Sequence, residues 1–384
     1  EKPAILVNNR TRLNFNYQHG DQLQFYVSLQ NVNIWGQAPQ VQVKDRTGGL
    51  SVFEAYAALP LYKDVNAKIG RQMIVLDEDR IFGSLDWHPA GRAHDAININ
   101  WKNDKLSLRS FFAFNQNYLD GKASNVKGNV NNPKGQFFAP GGQPYQHLEA
   151  VHAHYNITPT QGVSVLVANL GQRNDLVDDN DYNMQTIGFH YRGKSDALRY
   201  GAEGYLQTGK NAAGKDKEAF LLAALVGYQF TPAFSATLGL DYLSGNDTND
   251  PTATKDKAFN PFSGTNHKFY GFMDHFYVSY SPSVGLLNPY LNLTLKTSDK
   301  GNLSATGHYF RSAGKIVGDK DNKTRHLGVE GDLVYTHKIQ QYVSLQAGYS
   351  LFITSGSYKK LRKLNLEVRK QQDWLWCSLN INPK

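Results

Sequence analysis

Apolar and polar residues alternate along much of this chain with a period of two. Leu23, Phe25, Val27 and Leu29 fall on one side of such a stretch, with Gln24, Ser28 and Gln30 opposite. Phe234, Ala236, Leu238, Leu240 and Tyr242 alternate in the same way with Ser235, Thr237 and Asp241. Side chains of a strand point alternately to its two faces, so this pattern predicts strands with one apolar and one polar face. Eighteen segments carry it, near 10–17, 22–34, 51–61, 65–76, 93–102, 105–117, 145–157, 162–172, 182–192, 197–208, 218–231, 233–244, 268–280, 289–298, 303–312, 325–337, 342–354 and 371–382. Most run to roughly 9 to 13 residues, the length a tilted strand needs to cross a bilayer.

The connections between these segments alternate in length. Compact turns fall at 19–21, 62–64, 102–104, 158–161, 193–196, 231–233, 281–288 and 338–341. Between them come long stretches rich in Gly, Asn, Asp, Lys and Pro, at 35–50, 77–92, 118–144, 245–267, 313–324 and 355–370, with shorter members at 173–181, 209–217 and 299–302. Short turns at one end of the strands and long loops at the other are the pattern of bacterial outer-membrane barrels, and it predicts both termini on the turn side. Aromatic residues gather beside the predicted turns, at Tyr17, Tyr62, Trp101, Tyr155, Tyr191, Phe230, Phe234, Tyr280, Tyr290, Tyr335 and Tyr342. Such a girdle suits the headgroup level, where an amphipathic ring has an apolar and a wet side. A sandwich or propeller would show fixed-length repeats or strands buried on both faces, and neither is found.

The predicted fold class is therefore all-β: one closed antiparallel transmembrane barrel of about eighteen strands over residues 1–384, which removes every sheet edge and leaves a wet interior. Composition agrees, with 22 Tyr, 20 Phe and 34 Gly against 3 Met. No run approaches the length of an apolar transmembrane helix. The single Cys377 excludes an internal disulfide framework and a multi-cysteine zinc site. No basic region followed by an apolar run opens the sequence at Glu1, so no export signal is read in it. The net charge of +8 is dispersed rather than clustered on a helix, which argues against a nucleic-acid partner.

With the apolar parity facing lipid, the opposite parity would line the interior. It carries Arg12, Lys68, Arg109, His152, His154, His190, Arg192, Arg199 and Lys296, against fewer acids at Glu54, Glu203, Asp241, Glu330 and Asp332. A cationic excess in a confined channel concentrates anions without a binding pocket. The stretch 77–92 holds Asp77, Asp79, Arg80, Trp87 and Arg92, and alternating charge with aromatics there suits an inward-folded lid that meets sugar rings and carboxylates. Asp175, Asp178, Asp179 and Asp181 offer hard oxygen ligands at close spacing, a possible Ca²⁺ site in an outer loop and the sole cofactor expected. His152 and His154 lack an identifiable third metal ligand. No GxSxG, HExxH or P-loop motif occurs, so no enzyme is expected.

Residues 69–96 read IGRQMIVLDEDRIFGSLDWHPAGRAHDA and residues 264–278 read GTNHKFYGFMDHFYV. Together these resemble the alginate-export family of outer-membrane porins. The resemblance implies an eighteen-stranded barrel in the bacterial outer membrane, whose narrow, positively charged pore passes an anionic uronate polymer. The family member that defines polymer export has a long periplasmic turn near its C-terminal end, whereas the matching turn here is the short KIQQ (338–341), which favours small anions or acidic oligosaccharides. Arg71 and Asp274 belong to the two family-like stretches, yet strict alternation would aim both at lipid, where a charge costs several kcal/mol. A bulge that turns them toward the pore is the expectation. The expected function is a passive conduit for anionic solutes or uronate-like saccharides. The alternative is a plugged, accessory barrel that docks a partner in an envelope complex.

Overall fold

The computed structural model describes residues 4–36, 50–115, 145–173, 181–248, 253–276, 283–316, 325–362 and 369–383. Nineteen strands lie among them: β1 (Asn8–His19), β2 (Leu23–Ile34), β3 (Ser51–Tyr62), β4 (Val65–Gln72), β5 (His94–Lys102), β6 (Leu106–Phe114), β7 (His147–Thr158), β8 (Gln161–Arg173), β9 (Asp181–Ser195), β10 (Leu198–Gly209), β11 (Asp216–Lys217), β12 (Ala219–Thr231), β13 (Phe234–Leu243), β14 (Lys255–Asp256), β15 (Leu286–Ser298), β16 (Gly301–Arg311), β17 (His326–Gln340), β18 (Val343–Thr354) and β19 (Gln371–Ile381). A short helix α1 (Gly356–Leu361) and a 3₁₀ turn (Asn266–Lys268) are the helical segments among the described residues. None of them is long and apolar enough to cross a membrane.

The chain divides into two compact units. In the first, β1, β2, β3, β4, β5 and β6 pair in that order, antiparallel. In the second, β9, β10, β12, β13, β15, β16, β17, β18 and β19 pair in that order, again antiparallel. The two-residue strands β11 and β14 pair parallel, aside from these. Up-and-down pairing follows from the tight turns. Lys63, Asp196 and Gly20 take φ of 45°, 47° and 56°, the left-handed conformation that matches the twist of hairpin strands. Elsewhere a side chain holds the turn: Asn103 Oδ1 accepts from the N–H groups of Lys105 and Leu106, and Thr231 Oγ1 from those of Ala233 and Phe234.

The two faces of these strands are inverted relative to a water-soluble sheet. On β13, Leu238 is 58% exposed, while Thr237 and Asp241 opposite are 8% and 1% exposed. Leu13, Phe15, Ile97, Ile99, Phe112, Leu222, Val226, Leu291, Leu293, Leu375 and Leu379 are likewise exposed, whereas Glu54, His152, Glu203, Glu330 and Asp332 are buried. An exposed apolar area on this scale marks a surface made for something other than water.

Six expectations need correction. Segment 268–280 is not a strand where it is described: it forms the 3₁₀ turn and successive bends, with Gly271 and Asp274 at φ 82° and 55°, which no extended strand tolerates. Among the described residues the long strands number seventeen, of 8 to 15 residues, beside two of 2 residues. β15 starts at Leu286, inside the turn expected at 281–288, and the loop expected at 299–302 is a tight turn between β15 and β16. Tyr290 consequently lies mid-strand opposite Gly239 and not beside a turn, and Tyr280 falls outside the described residues. Asn8 pairs with Ile34, where β2 runs into the long stretch 35–50, so β1 begins at the loop end and not the turn end.

If the exposed face of β13 meets hydrocarbon, Leu238→Arg should lower folding stability in lipid vesicles by about 2–4 kcal/mol. Thr294→Arg on the polar face of β15 should cost much less. Denaturant titration of the vesicle-inserted protein measures both.

Candidate functional site

The first unit is organised by the stretch between β4 and β5. Ile74, Leu76, Ile81 and Phe82 are buried, and Phe82 meets Phe111 and Phe262 edge-on at 5.0 and 5.4 Å. A tight fold holds it, since Leu76 N–H donates to Phe82 O at 3.1 Å and Asp79 N–H to Leu76 O at 3.1 Å. Residues 261–265 clasp it: Gly83 N–H donates to Ser263 O, Thr265 N–H to Asp79 O, and the Arg92 guanidinium to the carbonyls of Gly83, Ser263 and Gly264. Asp77 reaches the polar face of β7, its carboxylate 3.1 Å from His152 Nε2. The stretch is a packed clamp and not a solvated loop, with Trp87 41% exposed beside His88.

Beside this clamp the polar face carries cations. Arg10 and Arg12 both reach Asp86 Oδ1, at 2.9 and 2.8 Å, and Arg12 lies 3.5 Å over the Phe53 ring. Lys68 stands 3.7 Å over the Tyr56 ring and 4.0 Å from Glu54. Arg109 donates to two uncharged oxygens, Asn100 Oδ1 and Val75 O, both at 3.0 Å.

The second unit has its own basic row. Arg192 lies 4.0 Å from the buried Glu203, and Arg199 donates to Thr237 Oγ1 at 2.7 Å. Glycines make room for both, because a Cβ on Gly201 would meet Arg192 Nη1 at 2.1 Å and one on Gly227 would meet Arg199 Nε at 2.6 Å. Farther along, residues 266–276 cover the polar face of β15 to β18. Met273 N–H donates to Glu330 Oε1 at 2.8 Å, and Asn288 Nδ2 to Phe269 O and Asp241 Oδ2, each at 3.1 Å. Gly271 presses so close that a Cβ there would meet Glu330 at 2.4 Å. Asp332 accepts from Ser350 Oγ at 2.5 Å, and His267 Nδ1 lies 2.8 Å from Asp274 Oδ1. At its far end Phe276 packs on Phe310, Phe352 and Tyr358. Tyr358 stands on α1, whose first turn is capped by Ser355 Oγ, and its hydroxyl meets His275 Nδ1 at 2.8 Å. Burial, then the charge of Arg362, pushes His275 down to about 4.

Arg12, Lys68, Arg109 and His152 are thus brought together with the clamp in one unit, and His190, Arg192, Arg199 and Glu203 in the other. His190 is directly across from Glu203. His154 follows two residues after His152 on the same face of β7. Lys296 sits at the turn end of β15, tied to Asp299 at 2.6 Å. Three placements differ from expectation. Arg71 is not turned by a bulge: β3, β4 and β5 keep register around it, and it stays on the face of Ile69, paired with Asp95 at 3.0 Å. Asp274 is in no strand at all. Glu330 does not line open space; it is 3% exposed under the covering segment. Of the acidic run, Asp175, Asp178 and Asp179 lie outside the described residues, while Asp181 begins β9; no cluster able to hold a metal occurs among the described residues. Sequence reasoning missed Arg10, although Arg-x-Arg on one strand face is a readable sign of a basic row.

A family model described as alginate export matches residues 5–360. The chain belongs to the alginate-export family. Its place is the bacterial outer membrane, and its family and fold are those of channels. Among solved structures, Acinetobacter baumannii OccAB1 is similar, with a TM-score of 0.61 at 12% identity over 98% of this chain and 90% of that one. Pseudomonas aeruginosa OccD3 (OpdP) gives 0.59 at 13% identity over 98% and 87%, and the outer-membrane protein OprD of the same organism 0.58 at 10% over 98% and 87%. No curated protein matches. The two quoted sequence stretches of the alginate-export resemblance coincide with the clamp and the covering segment.

Because His275 holds its proton less readily when packed than its ordinary value of 6.5, the packing is fully present above about 6.5 and weakens as pH falls toward 4. The Trp376 ring, 6.3 Å from Phe272, reports on this segment. Its emission should change between pH 6.5 and 4 in the native chain and stay flat across that window in His275→Gln.

Proposed function

We propose that this alginate-export family member is a passive, anion-preferring conduit for small acidic solutes and uronate-type oligosaccharides. In this reading residues 1–384 form one domain whose meander closes into a barrel, the exposed apolar faces meet lipid and the polar faces line water. The observation that carries the anion preference is that Arg199 and Arg109 spend their hydrogen bonds on neutral oxygens, which leaves the charge of Arg199, and that of Arg109 in part because Asp77 lies within its electrostatic reach, available to a passing anion. Arg10, Arg12, Lys68 and Arg192 reinforce it, each only partly offset by Asp86, Glu54 or Glu203. The clamp, with Asp77, Asp79, Arg80, Trp87 and Arg92, acts as the restricting lid, and the covering segment with Asp274 narrows the path from the other family stretch. A Ca²⁺ ion at the acidic run near Asp181 belongs to this reading as an outer-loop ligand.

A second reading follows from the same packing. Two segments fixed to polar faces could close the path altogether, which would make the chain a plugged barrel that docks an envelope partner.

Single-channel recording in a planar bilayer separates the two. The conduit gives steady current, a reversal potential in a KCl gradient on the chloride side, and block by uronate oligomers. Arg109→Glu with Arg199→Glu should shift selectivity toward potassium. A folded but silent protein contradicts the conduit and leaves the docking reading.

A further inference from the structure

The short-turn end of the second unit carries a feature that the conduit reading does not use. A cavity of about 800 Å³ opens there on the polar face of β16 to β19, within the range of about 300–1,000 Å³ common to small-molecule sites. Its lining includes Lys300 and Lys338 together with Asn302, Ser344, Asn380 and Tyr342. Strand register explains the grouping. Lys338 lies directly across from Ser344, and Ser344 from Asn380, which sets an ammonium, a hydroxyl and an amide in one row across three strands. Lys300 joins them from the β15–β16 turn, because its carbonyl accepts from Lys338 N–H at 2.7 Å.

The chemistry of this set is selective. Among the described residues no carboxylate pairs with the ammonium of Lys300 or Lys338; Asp299 also lines the cavity, but Lys296 holds it at 2.6 Å. Two uncompensated ammonium groups favour an anion. Amides and a hydroxyl both donate and accept, as the hydroxyls of a pyranose ring require. Tyr342, 50% exposed, offers the ring face against which the apolar side of a sugar lies. A simple inorganic anion would use the lysines alone and leave the amides and the ring idle.

We propose that this cavity is a holding subsite for hexuronate units of an acidic glycan, at the short-turn mouth of the conduit. The inference rests on the proposed conduit for its biological setting, yet its test is independent of conduction. Binding of a tetrameric hexuronate to the full chain in detergent is measured by calorimetry, with a neutral glucose tetramer and sulfate as comparison ligands. The expected result is binding of the tetrauronate in preference to both. Lys300→Gln with Lys338→Gln weakens it about tenfold, a loss of about 1.4 kcal/mol. Asn380→Leu weakens it less, and Lys105→Gln, in a turn of the other unit, leaves it unchanged. Tetrauronate binding that is insensitive to Lys300, Lys338 and Asn380, or equal binding of sulfate or the neutral tetramer, overturns the subsite. Each variant is checked for heat-modifiable gel migration, and the single substitutions stand in if the double variant fails to fold. Retained binding in a chain that conducts no current would sink the conduit and keep the subsite.

Discussion

A strand that meets hydrocarbon must find partners for all its backbone N–H and C=O groups in its neighbours, because lipid offers none. Much of the rest depends on this. Up-and-down pairing of neighbouring strands satisfies those groups with minimal connection, and period-two alternation then presents one face to each environment. Leu238 and Asp241 on β13 state the result: the apolar residue is exposed and the carboxylate is buried. A water-soluble sheet would reverse them.

Burying polar groups on one face creates the opposite problem, since each needs a partner. The two family stretches meet part of that need. Asp77 accepts from His152, Glu330 from Met273 N–H, and Asn288 bridges Asp241 and the Phe269 carbonyl. Carboxylates that would otherwise stand alone become the anchors of inward-folded backbone. The cations are held differently: Arg109 and Arg199 hydrogen-bond neutral oxygens, with the Asp77 carboxylate within electrostatic reach of Arg109. In the proposed conduit, anchoring by acids would account for the narrowness of the path and exposure of bases for its sign.

The strands were legible because alternation and turn chemistry are local. Asn103, Thr231 and the left-handed turn residues announce hairpins in a few letters, and parity then places Arg12, Lys68, Arg192 and Arg199 on one face. Segment 268–280 was misread because Phe272, Asp274 and Phe276 alternate like a strand while Phe276 is buried against Phe310 and Phe352, a contact made across the sheet. Two signs pointed the other way: Gly271 within the run, and the loop lengths, since a strand there would make the tight turn at 299–300 a long-side connection. Arg71 needed knowledge of register, because only pairing through β4 and β5 brings Asp95 beside it. That Glu330 serves as an anchor was beyond reach, for its partner is a backbone amide 57 residues away.

Cysteine scanning along β13 in a Cys377→Ser background, with the protein in vesicles, tests the central claim most directly. A water-soluble thiol reagent should label positions 235, 237 and 239 and spare 236, 238 and 240, which a lipid-soluble reagent should reach instead. Equal labelling of both sets, or labelling of the apolar set by the water-soluble reagent, would contradict a strand with one face in lipid and the other in water.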